Sequence, residues 1–446
     1  MTNKISGRSL ALKALVTIEN QGAYANRILN SLFLQYQPEE REKGLATDIV
    51  YGTLRNFTLV DYLLNQLLTK NLSGLPPEIR NILRLAMYQL ITTPQQDYAV
   101  VNEAVKLTRK TKFTGFSGLV NAVLREYLRN KEGLALPQFE QKSIEHMTIV
   151  HSHPLWLVEK WIRRWGLEAT HQLVEANNSL APFTIRTNTL LLSKEKLLKQ
   201  LVAVGIEAAP SEFVPEAIRL KAGRKLTTTP FWAAGYFYIQ DEASMLVSYL
   251  LSPQPGEVIA DLCAAPGGKT THLAQLMKNT GLIYALDEYP HKIGLIQENA
   301  HRLKIKVIQT LTVDARCWHP DRLMDAILLD APCTGTGVLR RRPDIRWRRT
   351  QTDLKELSVL QGELLAHAAS LLKPQGRMVY STCSIESEEN EDQIRKFLST
   401  HPNFKVSIPQ NFALQLDHHQ LPEGILILPR QEGTDGFFMT RLVKVN

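Results

Sequence analysis

Over the first 135 residues apolar side chains recur three and four positions apart, the spacing of one helix face. Behind Pro76-Pro77, for example, Ile79, Ile82, Leu83, Ala86 and Leu90 form one stripe. A proline there opens a helix, because the N–H it lacks has no partner in the first turn anyway. The same pattern predicts helices over residues 9–18, 25–36, 39–68, 100–110 and 116–128, enough for a small bundle that buries its stripes. A polar stretch from Asn130 to Pro137 interrupts the periodicity and marks a boundary.

Beyond it the period changes. Residues 151–235 mix a helix over 155–165, a strand over 183–188 and a helix over 193–204, a small α/β segment. Trp156, Trp161 and Trp165 sit four and five apart, which suits a core stripe better than a base-stacking platform. From residue 236 onward the chain alternates helical spacing with near-continuous apolar runs at 258–260, 282–286, 307–313, 326–329 and 377–380. Such runs fit strands buried on both faces, and the alternation predicts a doubly wound, Rossmann-like α/β sheet. Asp241 is positioned to cap a helix running to Leu251, and the last run, 436–443, reads as a closing antiparallel strand. The predicted division is 1–135, 145–235 and 236–446.

In such a sheet ligands bind at the carboxyl ends of the strands. Here those ends carry Asp261, Asp287, Asp314, Asp330 followed by Cys333, and Ser381 to Ser384 with Cys383. If the fourth and fifth strands are neighbours, Cys333 and Cys383 face one crevice although they lie fifty positions apart. The first strand breaks at Pro266-Gly267-Gly268, where missing side chains let backbone approach a cofactor. The loop lacks the G-x-G-x-x-G of dinucleotide sites, and Cys263 stands where a phosphate-binding P-loop needs glycine. Asp287, about twenty residues past the glycines, still offers a carboxylate to ribose hydroxyls. A nucleoside without pyrophosphate fits, and S-adenosylmethionine is the candidate.

Composition narrows the setting. With 446 residues, 44% apolar and 22% charged, the chain supports several domains and a sizeable core. A net charge of +8 is compatible with a polyanionic partner. Four cysteines without C-x-x-C spacing predict a reducing compartment, no disulfide framework and no metal site. No apolar run approaches the ~20 residues that span a bilayer, so a cytoplasmic protein without membrane attachment is expected. Two basic stretches suit RNA: 106–112 on a helix, and six arginines within residues 340–349. The acidic run Glu386 to Asp392 is expected to begin a helix, and His272 to be packed within one.

Asp-Ala-Pro-Cys at 330–333 and Ser-Thr-Cys-Ser at 381–384, behind Cys-Ala-Ala-Pro-Gly-Gly-Lys-Thr at 263–270, resemble the RNA 5-methylcytosine methyltransferases. The resemblance implies Cys383 as the nucleophile, Cys333 as the thiol that assists product release, and Asp330 as the group on the cytosine edge. It also implies S-adenosylmethionine held by Cys263, Ala264, Ala265, Pro266, Gly267, Gly268, Lys269, Asp287, Asp314 and Asp330, with Asp314 toward the adenine. Lys269 is a candidate cation for lowering a thiol pKa. Segments 83–90, 101–105 and 120–125 resemble the RNA-binding antitermination factor NusB, and the middle segment resembles an RRM-like extension without the usual aromatic RNP motif. Together these resemblances imply the branch of the family that acts on 16S rRNA, naked or partly assembled, at the cytosine numbered 967, as a monomer. Thr334 departs from the serine that many members carry after Pro-Cys. A member of the same family acting on another rRNA or tRNA cytosine, a DNA cytosine methyltransferase using Cys333 as nucleophile, and a non-catalytic RNA-binding regulator are the alternatives.

Overall fold

The computed structural model describes residues 5–93, 97–221, 226–410, 412, 416–431 and 433–445. The chain divides into two compact units, one of 1–179 with 339–348, the other of 180–338 with 349–446.

The first unit is helical. Gly7–Gln21, Ala25–Tyr36, Glu40–Arg55, Phe57–Leu67, Pro77–Thr92, Asp97–Arg109 and Ser117–Asn130 pack around Leu10, Ile49, Leu64, Ile79 and Ile82, all fully buried. The helical stretch expected over 39–68 forms two helices, because the chain bends at Asn56, whose side-chain amide donates back to the Gly52 carbonyl at 2.9 Å. Gly52 lets helices Glu40–Arg55 and Pro77–Thr92 touch, since a Cβ there would lie 1.9 Å from the Tyr88 ring. Leu155–Trp165 and Leu167–Asn178 complete the unit, with Trp161 fully buried as a core residue.

The structure corrects the sequence reading of the arginine run at two of its six positions. Residues 339–348 belong to the helical unit, and Arg340 and Arg346 are buried at 1% exposure, so neither offers its charge to RNA. Arg346 instead caps helix ends. It donates to the carbonyls of Arg55 (3.3 Å), Ser152 (3.2 Å) and Asn177 (2.7 Å) and to Asn178 Oδ1 (2.7 Å), so its planar fork serves the C-termini of Glu40–Arg55 and Leu167–Asn178. At the opposite polarity, Asp344 accepts from the Ala25 N–H at 3.2 Å, where helix Ala25–Tyr36 has no side-chain cap of its own. Replacing Arg346 by alanine leaves these buried acceptors without a donor and should cost about 3 kcal/mol or more. Earlier thermal unfolding of the variant, read by circular dichroism, checks this; an unchanged midpoint would contradict the capping role.

Among the described residues of this unit, one group has metal-ligand chemistry: His146, His151 and His171, with ligand atoms within 4.8 Å of one another. Burial first, then the two neighbouring imidazoles and Arg346, lower His151 to about 4. The Arg346 charge opposes a cation at the cluster.

The second unit opens with a four-stranded antiparallel sheet of β1 (Phe183–Thr187), β2 (Ala208–Pro210), β3 (Ala217–Leu220) and β4 (Phe237–Ile239), ordered β2-β3-β1-β4. Helix Lys194–Ala203, capped by Ser193, packs against it. Asp241 caps helix Glu242–Leu251 as expected, accepting from the Ala243 N–H at 2.9 Å.

The large sheet follows: β5 (Val258–Asp261), β6 (Leu282–Asp287), β7 (Ile308–Thr312), β8 (Met324–Asp330), β9 (Leu372–Thr382), β10 (Phe404–Val406), β11 (His419–Leu421), β12 (Gly424–Ile427) and β13 (Phe437–Lys444). Its order is β11-β12-β13-β9-β8-β5-β6-β7, with β10 on β13. Strands β5 to β9 are parallel, and β13 joins β9 antiparallel. The chain steps from β5 to β6 and β7 on one side, then to β8 and β9 on the other. Strand order therefore reverses beside β5, which opens the crevice where such sheets bind ligands. No helix of the described residues is long and apolar enough to cross a membrane.

Candidate active site

The groups at this crevice sit on the carboxyl ends of β5, β6, β8 and β9. The loop after β5 turns through a cis Ala265–Pro266 bond to Gly267, at φ +97°. A Cβ there would sit in the left-handed region and 3.3 Å from Ile296 Cα, so glycine is required twice over. Helix Gly268–Leu276 starts immediately, and Arg186 on β1 steadies that start. Its buried guanidinium donates to the Gly268 carbonyl at 2.7 Å, to Thr271 Oγ1 at 2.9 Å and to Gln240. Nothing local in the sequence announces Arg186, because its role exists only once a strand of the small sheet reaches the glycine loop.

Asp261 closes β5 and is buried, accepting from the Thr270 hydroxyl at 2.6 Å. Burial chiefly, and the Asp330 charge, push its carboxyl up to about 7 despite that hydrogen bond. A carboxyl whose folded pKa is raised adds stability that is full below its unfolded pKa, about 4, and lost as pH rises through about 7. Asp261→Asn should therefore remove about 2–4 kcal/mol of pH dependence between pH 4 and 8. Unfolding midpoints of the two proteins across that range test this; parallel curves would contradict it.

Asp287 ends β6, accepting from the Tyr289 N–H at 3.2 Å and pairing with Lys292 at 3.2 Å. As an acceptor-only group at the second strand end, it suits ribose hydroxyls. Asp314 lies one strand further out. It caps a short turn by accepting from the Arg316 N–H at 2.9 Å, and its pairing with the Arg316 side chain at 2.7 Å holds its carboxyl below the usual range. Cys263, in the glycine loop, has its thiol pushed upward by burial and the Asp261 charge. Cys317 is exposed and His272 is packed against Glu216 at 2.5 Å, both away from any reactive arrangement.

At the ends of β8 and β9 the reactive groups converge. Asp330 and Ser381 are direct partners in the β8–β9 ladder, and the Ser381 hydroxyl donates to Asp330 Oδ1 at 2.8 Å. Lys269, from the glycine loop, holds Asp330 Oδ2 at 2.7 Å and lies 5.0 Å from the centre of the Phe437 ring. Burial works against the lysine charge, but Asp330 and then the Cys383 sulfur outweigh it, so Lys269 titrates above its ordinary value. The Sγ atoms of Cys333 and Cys383 are 3.2 Å apart, and neither cysteine is in a disulfide. Hydrogen bonding to Cys383, then burial, raises the Cys333 thiol well above its usual range. The loops are tied as well as the sulfurs: Arg349 donates to the Cys333 and Thr334 carbonyls at 3.3 Å each, and the Gly337 N–H donates to the Cys383 carbonyl at 2.9 Å.

A parallel sheet that reverses at β5, a glycine loop at that point and a ribose-type carboxylate on the next strand suit a nucleoside cofactor, and the family matched over this sheet makes the class an S-adenosylmethionine-dependent methyltransferase. Three family models match in order along the chain: the NusB family over 6–129, the ferredoxin-like domain of RsmF/B-like methyltransferases over 153–227, and 16S rRNA methyltransferase RsmB/F over 248–443. A probable ribosomal RNA small subunit methyltransferase B of Bacillus subtilis is 36% identical, with 99% of each chain covered. Ribosomal RNA small subunit methyltransferase B of Cronobacter sakazakii is 35% identical over 100% of both chains. Among solved structures, a methyltransferase homolog from Pyrococcus horikoshii is 31% identical at a TM-score of 0.60, covering 68% of this chain and 99% of that one. The chain belongs to the ribosomal RNA small subunit methyltransferase B family, and its cofactor is S-adenosylmethionine.

Proposed function

We propose that the protein methylates carbon 5 of one cytosine in 16S rRNA, the cytosine numbered 967 in the family, through a covalent cysteine adduct. The observation that carries this reading is the pair of thiols 3.2 Å apart, beside the Lys269–Asp330 pair. Carbon 5 of cytosine is a poor nucleophile. Addition of the Cys383 thiolate to carbon 6 forms an S–C bond and moves the ring electrons toward N3, leaving an enamine with a nucleophilic carbon 5. Asp330 binds the cytosine edge, and the Lys269 cation paired with it offsets the charge that gathers there. S-adenosylmethionine supplies the electrophilic methyl group when bound. Once carbon 5 carries the methyl group, its proton passes to solvent, the C5–H electron pair re-forms the C5–C6 double bond and the Cys383 thiolate leaves, a release that Cys333 assists.

For the cofactor, the loop Cys263, Ala264, Ala265, Pro266, Gly267, Gly268 and Lys269 supplies close backbone approach, Asp287 the ribose acceptors and Asp314 the adenine end. The substrate base must leave its stack to enter the crevice, which suits naked or partly assembled small-subunit RNA in the cytoplasm. The domain plan is a NusB-like part at 1–135, an RRM-like part at 145–235 and the methyltransferase at 236–446, acting as a monomer. The test is transfer of a radiolabelled methyl group to naked 16S rRNA, followed by nucleoside digestion. Label in 5-methylcytidine supports the reading; label in another nucleoside, or in DNA alone, overturns it.

A further inference from the structure

Behind the two cysteines lies a carboxylate, Glu389, fully buried in the short turn Ser387–Glu389. Its Oε1 accepts from the Thr334 N–H at 2.8 Å and from Gln361 Nε2 at 3.1 Å, and its Oε2 accepts from the Thr334 hydroxyl at 2.5 Å. The Ser384 hydroxyl also bonds to this carboxyl and lies 3.2 Å from Thr334 Oγ1. Burial raises the Glu389 carboxyl, while the bonds from Ser384, Thr334 and Gln361 favour its ionised form. Thr334 follows Cys333, and Ser384 follows Cys383. Gln361 additionally donates to the Pro332 carbonyl at 2.8 Å, on the other side of Cys333. An acceptor-only side chain satisfies all these donors at once. Both segments lie beyond Asp330–Ser381, the last pairing of β8 with β9, so the ladder itself does not hold them together.

The two sulfurs also differ in their surroundings. Lys269 senses the Cys383 sulfur, whereas hydrogen bonding to Cys383, then burial, then the Cys383, Glu389 and Asp330 charges favour the protonated form of Cys333. Arg349, on the Cys333 carbonyl, and Tyr380, whose hydroxyl donates to the Glu389 carbonyl at 2.6 Å, also face this group. We propose that Glu389 is a positioning residue of the thiol pair: it locks the loops after β8 and β9 in register and keeps the proton shared by the two sulfurs on Cys333. Cys383 is thereby left as the sulfur that acts as thiolate. The proposal rests on the functional reading above for its kinetic consequence, but not for its titration.

Two measurements test it on the full-length protein. The difference in ultraviolet thiolate absorbance between Cys383→Ala and Cys383→Ala/Cys333→Ala follows Cys333, because Cys263, Cys317 and the tyrosines contribute equally to both. Adding Glu389→Gln removes the negative charge and should lower the Cys333 midpoint by about one pH unit. With both cysteines present, Glu389→Gln should lower kcat about tenfold and Glu389→Leu ~100-fold, with KM for S-adenosylmethionine within about twofold of wild type. Glu389→Asp should recover part of the loss. An unchanged Cys333 midpoint, or an unchanged kcat in Glu389→Gln, overturns the proposal. If wild type transfers no methyl group to RNA, the functional reading fails, and the titration still decides the role of Glu389.

Discussion

Cys383→Ala should lose methyl transfer by at least about 1,000-fold, because in the proposed mechanism its thiolate adds to carbon 6 and activates carbon 5. Cys333→Ala should fail differently. Addition and methylation proceed, release stalls, and a protein–RNA adduct survives on a denaturing gel. The 3.2 Å separation of the sulfurs makes this contrast sharp, since the proposed mechanism brings both thiols to the same base while only one bonds to it. The checking experiment runs wild type and both variants on the same RNA, with cofactor affinity measured alongside. Full activity in Cys383→Ala would invalidate the nucleophile assignment. Adduct in Cys383→Ala, and none in Cys333→Ala, would exchange the roles and favour the mechanism of the DNA enzymes.

Asp330→Ala should be the second most damaging change. It removes the partner of Lys269, whose side chain is only 12% exposed, and leaves an uncompensated cation facing burial that already opposes its charge. Breaking such a pair costs roughly 3 kcal/mol, the lower end of the usual range because Asp330 remains partly open to water. Methyl transfer should fall by about 100-fold or more, since the carboxylate proposed to hold the cytosine edge is gone. Combining it with Lys269→Met removes both charges, so stability should recover while transfer stays low. Chemical denaturation and methyl-transfer rates on the two single variants and the double variant measure the two effects separately. A double variant no more stable than Asp330→Ala would contradict the pairing argument.

Much of this was legible in the chain. Helical spacing located the bundle, including the helix behind Pro76-Pro77, because a stripe buried on one side must repeat with the helix. Apolar runs located the parallel strands β5, β6, β7, β8 and β9, because strands covered on both faces tolerate little polarity. β10, β11 and β12 were not legible: three or four residues each carry too little periodicity, and they form only by pairing with one another or with β13. The arginine run shows the opposite failure. Six like charges in ten residues look like surface, yet Arg346 is buried because two helix C-termini offer it carbonyls that no sequence window displays.

The site divides along the same line. Residue order alone specified which chemistry is available: the two cysteines in their contexts, the glycine loop and a carboxylate after each of four strands. These depend on residue type and local turn geometry. Which of those groups meet was settled only by the packed fold. It set the sulfurs 3.2 Å apart, placed Lys269 on Asp330, brought Arg186 to the glycine loop and buried Glu389 behind both thiols. The cause is register. A parallel ladder aligns β8 with β9 through backbone hydrogen bonds that are indifferent to side-chain identity, so contacts across fifty residues follow from pairing rather than from local pattern.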